Sequence, residues 1–501
     1  MLAIRKGPFT ELGGRVKVLK FDGVVVGSGS TGLSCALTLA EGGAKVCVLE
    51  KMKAFGGVSN FAEGMFAAES VLQKREYIRY TRDEAFKNIM EYSHWKANAR
   101  LVRAFVDETG PIIEWLMALG VEFEGVSTNT PGGFPVWHIL KGPERQRGSS
   151  MIRVLASRAR ERGVQFFLSM PARRLLMEEG RVTGVEAGEE EETLFSARVV
   201  VIATGGYANN AEWIKRYAGF NLGVDLVPVG NVGKMGDGIR MAFEAGADEE
   251  GLGVLQLLRS GPPVGENTLD MIGPLEVASY QPCLHVNQDG ERYCDESITG
   301  NFPFDGNAIS KQRGRVVYTV FDDSHMERWM REGVEIGTGK IIPPGSKVDI
   351  RKAIEDALGR KAPGVFSASS IEELAGLVGI EKERLKETVK EYNAFCLKGH
   401  DDLFAKDRHY LVPLLGPRFY ALRCRLIFLG TLGGIKVNHR MEVLDKMGRR
   451  IPGLYAGGMD AGGLFGDSYD VFTCGGTLAF GLASGRIAGR AALEYLSKVD
   501  S

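Results

Sequence analysis

Cysteine is sparse: Cys35, Cys47, Cys283, Cys294, Cys396, Cys424 and Cys474 are scattered along the 501 residues. None forms a C-x-x-C or C-x-x-C-H pair, so iron–sulfur, haem c and zinc sites have no support, and scattered reduced thiols are expected instead. The chain also lacks any apolar run of the ~18 residues that a spanning helix needs. Residues Met1 to Lys20 mix Arg, Lys, Glu and Gly without the apolar core of a cleaved signal. A soluble, cytoplasmic protein with no integral membrane segment is the expectation. Charge of one sign is missing too: 62 basic against 63 acidic residues leave a net charge of −1, which excludes the basic face of a nucleic-acid binder. No low-complexity tract or solenoid-length repeat is found.

What the chain has instead is glycine in one ordered pattern. Val24-Val25-Val26 reads as a buried strand running into Gly27-Ser28-Gly29-Ser30-Thr31-Gly32, a Gly-x-Gly-x-x-Gly turn that opens a helix, and Glu50 closes the next strand. Gly27 permits the tight turn, Gly29 lets a pyrophosphate approach the backbone, and Gly32 lets helix and strand pack closely. The helix N-terminus attracts the phosphates, and Glu50, followed by Lys51, reaches a ribose. This is a dinucleotide site.

Further along, Gly56-Gly57-Val58-Ser59-Asn60 with Gly64 makes a second glycine loop, and Thr81 to Gly120 carry helical periodicity. Tyr77, Trp95 and Trp115 are expected to pack in the core. Gly148 to Gly163 reads as a helix, Gln165 to Leu168 and Arg181 to Val185 as strands. Arg198 to Gly206 is a second buried strand whose Ala203-Thr204-Gly205-Gly206 end approaches the nucleotide from the other side. Shorter elements and prolines mark Gly253 to Gly430, with a charged helix expected from Ile371 to Leu397. The expected fold is α/β: a Rossmann-like FAD-binding domain in two parts, 1–252 and 431–501, with an inserted α+β capping domain at 253–430. The helix entry Cys474-Gly475-Gly476-Thr477-Leu478 suits a positive dipole beside N1 and O2 of a reduced flavin, with an ordinary glycine-rich helix start as the alternative.

Together these pieces resemble the flavoprotein family of fumarate reductase and succinate dehydrogenase, which also holds L-aspartate oxidase, urocanate reductase and the 3-ketosteroid dehydrogenases. The resemblance spans nearly the whole chain. It is carried by Gly27/Gly29/Gly32 with Glu50, Gly56-Gly57, Ala203 to Gly206, Gly236-Asp237-Gly238, Val286-Asn287 with Gly290-x-Arg292, Thr431-x-Gly433-Gly434, Pro452 to Ala456 and Gly485 to Gly489. It implies FAD, a mobile cap, and hydride exchange between flavin N5 and a carbon next to an activating group. Some members attach the flavin through a histidine of the second glycine loop. Here that loop reads Gly57-Val58-Ser59-Asn60, so the FAD is expected to be non-covalent. Where a ribityl-binding glutamate is expected after Gly458, this chain has Met459 followed by Asp460.

The departures bear on the substrate. The family's proton-delivering arginine matches Gly300, four residues past Glu296, and its E-x-x-R relay matches Glu276-Val277-Ala278-Ser279, which keeps the carboxylate and loses the arginine. The histidine of Q-x-H-P matches Leu258, the one before T-x-G-G matches Gly430, and Tyr469 stands where G-x-N-R has its arginine. Losing all five groups removes the charge that binds a dianion and stabilises its transition state. A larger, apolar or aromatic substrate with a neutral carbonyl is expected. Tyr469 is the first candidate for acid/base work, against packing over the flavin. Tyr280 and Tyr293 lie on the relay segment, each with a structural alternative, and Glu276 keeps its relay position. Arg259 holds a carbonyl or carboxylate in place of the lost histidine, or else forms a salt bridge. His285 and His325 are expected to be structural. The resulting expectation is an FAD-dependent oxidoreductase acting on CH-CH bonds, with a small-molecule substrate and an external electron donor or acceptor. The alternatives are an amine oxidase like L-aspartate oxidase and a non-catalytic flavin-binding subunit.

Overall fold

The computed structural model describes residues 17–499 except 131, 144–145, 190, 231–232, 264–272 and 338–341, so most of the Met1 to Lys20 segment lies outside the described residues. Its central sheet has five parallel strands, in the spatial order Arg450–Ala456, Val199–Ile202, Gly23–Val26, Val46–Leu49 and Gln165–Phe167, with Glu442–Leu444 antiparallel at the edge. Strands covered on both faces read as unbroken apolar runs, and Val24, Val25, Val48, Val200 and Val201 are accordingly fully buried. The helix Ser30–Glu41 crosses between the first two strands in sequence. Its N-terminus and the ends of Val199–Ile202 and Arg450–Ala456 share one end of the sheet.

A second sheet is built on the long strand Phe419–Thr431. Leu255–Ser260, Val316–Asp322 and Val365–Ala368 pair with it antiparallel, Leu284–Asn287 extends it, and Val227–Pro228 joins it in parallel from before Gly253. Alternate residues of the long strand feed two cores. Ala421 packs with Leu374, Leu385 and Tyr392 on one side, and Tyr420 and Leu422 with Phe321 and Trp329 on the other.

Two expectations change here. Tyr77 and Trp95 are 97% and 62% exposed, because each sits at positive φ in the turn closing a short helix and is thrown outward. Trp115 does pack, under the Arg486 guanidinium at 4.4 Å. The helix expected from Ile371 to Leu397 is two helices, Ile371–Val378 and Lys382–Lys398, because Gly379 takes a left-handed conformation and ends the first.

The C-terminal helix Gly476–Val499 lies directly on Ser30–Glu41. Gly481, Gly485 and Gly489 form the contact stripe: a Cβ on Gly485 would overlap the Ser34 hydroxyl and the Thr31 carbonyl, and one on Gly489 would sit 2.8 Å from Thr38 Cβ. Ser34 Oγ donates across the crossing to the Leu482 carbonyl at 3.2 Å. Gly485→Val is expected to overpack the crossing by ~1–3 kcal/mol, lowering the thermal unfolding midpoint and the FAD content of purified protein together, as differential scanning fluorimetry and flavin absorbance will record.

Candidate functional site

The two glycine loops are laced together before any ligand is considered. Glu50 accepts hydrogen bonds from Ser28 N at 3.0 Å, Ser28 Oγ at 2.6 Å and Met52 N at 2.8 Å. Gly56 N donates to the Ser28 carbonyl at 3.1 Å, and Ser30 N donates to Ser59 Oγ at 3.1 Å. A Cβ on Gly32 would overlap the Gly27 carbonyl, so only glycine lets this helix start so close to the strand. Gly29 by contrast has room in front of it, since a Cβ there would make only ordinary contacts, with Ser59 Oγ at 3.6 Å and the Gly56 carbonyl at 3.9 Å. That opening, at a helix N-terminus with orphan N–H groups, fits a pyrophosphate.

From this cradle a cavity of about 1270 Å³ runs between the two sheets. Ordinary small-molecule sites occupy ~300–1,000 Å³, so there is room for a dinucleotide and a second molecule. Its lining includes Gly27, Gly29, Ser30, Thr31, Glu50, Lys51, Gly56, Gly57, Ser59 and Gly64. Ala203, Thr204, Gly205, Asp237, Gly458, Gly475, Thr477 and Leu478 complete the cofactor candidates that reach it. Lys51 pairs with Asp237 at 2.6 Å. The remaining candidates stand behind the wall. Gly32 and Gly236 support the backbone, and Asn60 donates to the Phe55 carbonyl at 2.8 Å.

Asp460, a cofactor-binding candidate from the sequence, also stands behind the lining. Its buried carboxylate accepts from Thr204 N and Oγ1, from Gly205 N at 3.0 Å and from Gly206 N at 2.9 Å, tying the C-terminal segment to the Thr204–Gly206 loop.

At the far end the wall is apolar and aromatic: Trp137, Val229, Leu258, Val277, Tyr280, Phe302, Ile336, Leu429 and Tyr469. Gly300 and Gly430 line it as well, at two of the positions stripped of cationic groups. Tyr469 stacks on Phe302, ring centroids 5.9 Å apart, with its hydroxyl 3.4 Å from the Thr473 carbonyl, and burial holds its phenol far above the usual range. Tyr280 sits beside Gly300, since Thr299 Oγ1 donates to the Tyr280 carbonyl at 2.6 Å. Its hydroxyl donates to the Arg259 carbonyl at 3.0 Å and neighbours the Glu276 carboxylate. Glu276 does not line the cavity. One of its oxygens accepts from Gly261 N at 2.6 Å, the other is buried without a partner, and burial pushes its pKa up to about 7.

Arg259 takes the salt-bridge alternative. Its guanidinium is fully buried and fully used: bidentate to Asp305 at 2.7 and 2.9 Å, and donating to the Ser279 carbonyl, Thr319 Oγ1 and Tyr293 Oη. It clamps the second sheet to the helix Phe302–Ser310 and has no donor left for a substrate. His285 completes this cluster, and the His325 ring holds Asp322, the N-cap of its own helix, both as structural groups. Trp137, Phe302 and Lys234 were missed. No local spacing marks the first two, whereas Lys234 sits just before Gly236-Asp237-Gly238 and could have been questioned there.

A family model described as FAD binding domain matches residues 22–471. The chain belongs to that family. Within it the chain is 34% identical to the vinyl phenol reductase of Lactiplantibacillus plantarum over 484 residues, covering 95% of this chain and 97% of that one. It is 28% identical to an NADH:fumarate oxidoreductase of Klebsiella pneumoniae over 471 residues, 93% of this chain but 47% of that longer protein. A solved 3-ketosteroid-Δ4-(5α)-dehydrogenase from Rhodococcus jostii superposes with a TM-score of 0.76 at 22% identity, over 98% of this chain and 100% of that one, and so shares the fold. This FAD binding domain protein is an FAD-dependent oxidoreductase acting on CH-CH groups. No helix among the described residues is long and apolar enough to cross a membrane.

Asp460→Ala is expected to leave the buried N–H groups of Thr204, Gly205 and Gly206 unpaired, at ~1–3 kcal/mol for each unsatisfied group. Purified variant protein will show a lowered unfolding midpoint and weakened FAD retention on gel filtration.

Proposed function

We propose that this protein binds FAD non-covalently and reduces the carbon–carbon double bond of an aryl-conjugated or carbonyl-conjugated alkene that is not a dicarboxylate. The observation that carries this reading is the apolar, aromatic wall at the far end of the cavity, with Leu258, Gly300, Gly430 and Tyr469 where a dianion would need cations. The vinyl phenol reductase, similar over its whole length, supports an aromatic substrate. The Phe419–Thr431 sheet with its helices, residues 253–430, is the capping unit in this reading, and electrons come from a separate donor.

FAD when bound supplies the hydride at N5. The chain's own residues do the rest. Gly27 to Thr31 and the N-terminus of Ser30–Glu41 hold the pyrophosphate. The N-terminus of Gly476–Val499 places its positive end at the cavity beside Thr477 and Leu478. Phe302 and Tyr469 flank the substrate ring. Tyr280, adjoining the Gly300 position and backed by Glu276, delivers the proton to the second alkene carbon. Tyr469 thus becomes a wall residue, because its hydroxyl turns to Thr473 and not to a proton source.

Holoenzyme reduced anaerobically is expected to reoxidise with 4-vinylphenol or a cinnamate and to stay reduced with fumarate; comparable rates with fumarate would overturn the reading. Acid precipitation is expected to give a colourless pellet and a yellow supernatant. Tyr280→Phe is expected to lower kcat by ~10²–10⁴-fold, whereas Tyr469→Phe acts mainly on KM. Burial raises Glu276 to about 7, so it holds a proton below that pH and loses it above. A kcat that declines above pH about 7 in the wild type, and becomes flat there in Glu276→Gln, will confirm the relay.

A further inference from the structure

The cations that line the cavity differ in their engagement. Lys51 is paired with Asp237, Arg240 with Glu244 at 2.8 Å, and Arg173 donates to the Gly188 and Glu189 carbonyls. Of these lining cations among the described residues, Lys234 is the one that makes no side-chain hydrogen bond or ion pair. Its backbone is fixed: Lys234 N donates to Asn209 Oδ1 at 2.9 Å, and Asn209 N returns a bond to the Lys234 carbonyl at 2.8 Å. The nearby carboxylate of Asp460 is committed to the Thr204–Gly206 backbone. The ammonium therefore ends in the cavity, where its Nζ lies 3.9 Å from the position a Cβ on Gly430 would occupy. Gly430 is where a carboxylate-gripping histidine is missing, so a cation from another element stands next to that gap.

We propose that Lys234 is the anchor for a single acidic oxygen of the substrate, phenolic or carboxylic. One point charge on a flexible stem holds one oxygen and cannot reproduce the grip of several cations on a dianion. This rests on the functional reading above and narrows it, from apolar alkenes in general to those carrying one acidic group. Burial lowers the Lys234 pKa to about 8, so the ammonium remains protonated at neutral pH and is poorly solvated, a state that gains from an oxygen partner.

The test uses holoenzyme and reads binding as well as turnover. The flavin absorbance of wild type, Lys234→Met and Lys234→Gln is titrated with 4-ethylphenol, 3-phenylpropanoate and ethylbenzene, and FAD retention and flavin midpoint potential are measured on each protein. Both variants are expected to weaken the acidic ligand by roughly tenfold to a hundredfold, the worth of a hydrogen bond to a charged group, and to leave ethylbenzene, FAD retention and potential unchanged. Whether 4-ethylphenol or 3-phenylpropanoate shows the loss identifies the oxygen. Equal weakening of ethylbenzene would overturn the proposal, and so would loss of FAD or a shifted potential, which would assign Lys234 to the cofactor. Tight, Lys234-dependent phenol binding by an enzyme that reduces no alkene would sink the functional reading and leave the anchor standing.

Discussion

The crossing of helices Ser30–Glu41 and Gly476–Val499 is the contact on which the site depends. The two segments are separated by most of the chain, yet Gly481, Gly485 and Gly489 bring their backbones within a side chain's width of each other. Because the crossing is that close, both helix N-termini open onto one cavity, the first at the pyrophosphate end and the second beside Gly475 to Leu478. Ser484 extends the same contact, receiving Gly458 N on its hydroxyl at 2.8 Å and so locking the end of strand Arg450–Ala456 to the C-terminal helix. A methyl group on any of these glycines would separate the helices and misalign the positive ends. Two half-sites on remote segments become one electrostatic surface through packing alone.

Charge inside the molecule follows a second rule: nearly every fully buried ion is committed to holding elements together. Arg259 with Asp305, and Arg292 with Glu296 and Asp401, are paired at 2.7–3.1 Å with negligible exposure. Breaking such a pair strands a buried charge at ~3–5 kcal/mol, a strong reason for these groups to stay where they are and a poor basis for ligand exchange. A cofactor or substrate must therefore be met by groups with spare valence. Backbone N–H groups of the helix starts and the Lys234 ammonium meet that condition at the cavity.

This rule explains which features were legible in the sequence. The glycine motifs were, because each encodes a local backbone requirement: a turn, a close approach, a helix start. The alternation and apolar runs of the central strands were too, since burial on both faces leaves no polar residue to interrupt them. The partner of Arg259 was not, because Asp305 lies 46 residues away and nothing near either residue announces the pairing. The partners of Asp460 were hidden in the same way, lying on a loop more than 250 positions earlier. Tyr77 and Trp95 were misjudged because residue type was read without the left-handed turns that expel them. Phe302 and Trp137 reach the cavity through sheet topology, which no spacing within the chain expresses.

In the proposed reading, the same topology bears on how hydride and proton arrive at one molecule. The FAD cradle belongs to the parallel sheet, while Tyr280 and Glu276 sit on the helix Pro274–Ser279 and its end, beneath the second sheet. Contacts join the two bodies at the substrate end: Phe302 on Tyr469, Tyr92 Oη to Asn301 Oδ1 at 3.4 Å, and Asn307 Nδ2 to Ser468 Oγ at 3.0 Å. All three reach the 301–307 stretch, which begins one residue past Gly300 and is held from behind by the Arg259–Asp305 pair. That stretch is therefore the mechanical link between the body with the FAD cradle and the one that carries Tyr280 and Glu276. A substrate ring seated against Phe302 and Tyr469 touches both bodies at once, so one aromatic contact sets its distance to the hydride source and to the proton source together. An aromatic ring held at one point needs such a link, because stacking fixes its plane but not its position, and walls from both bodies help to fix the latter.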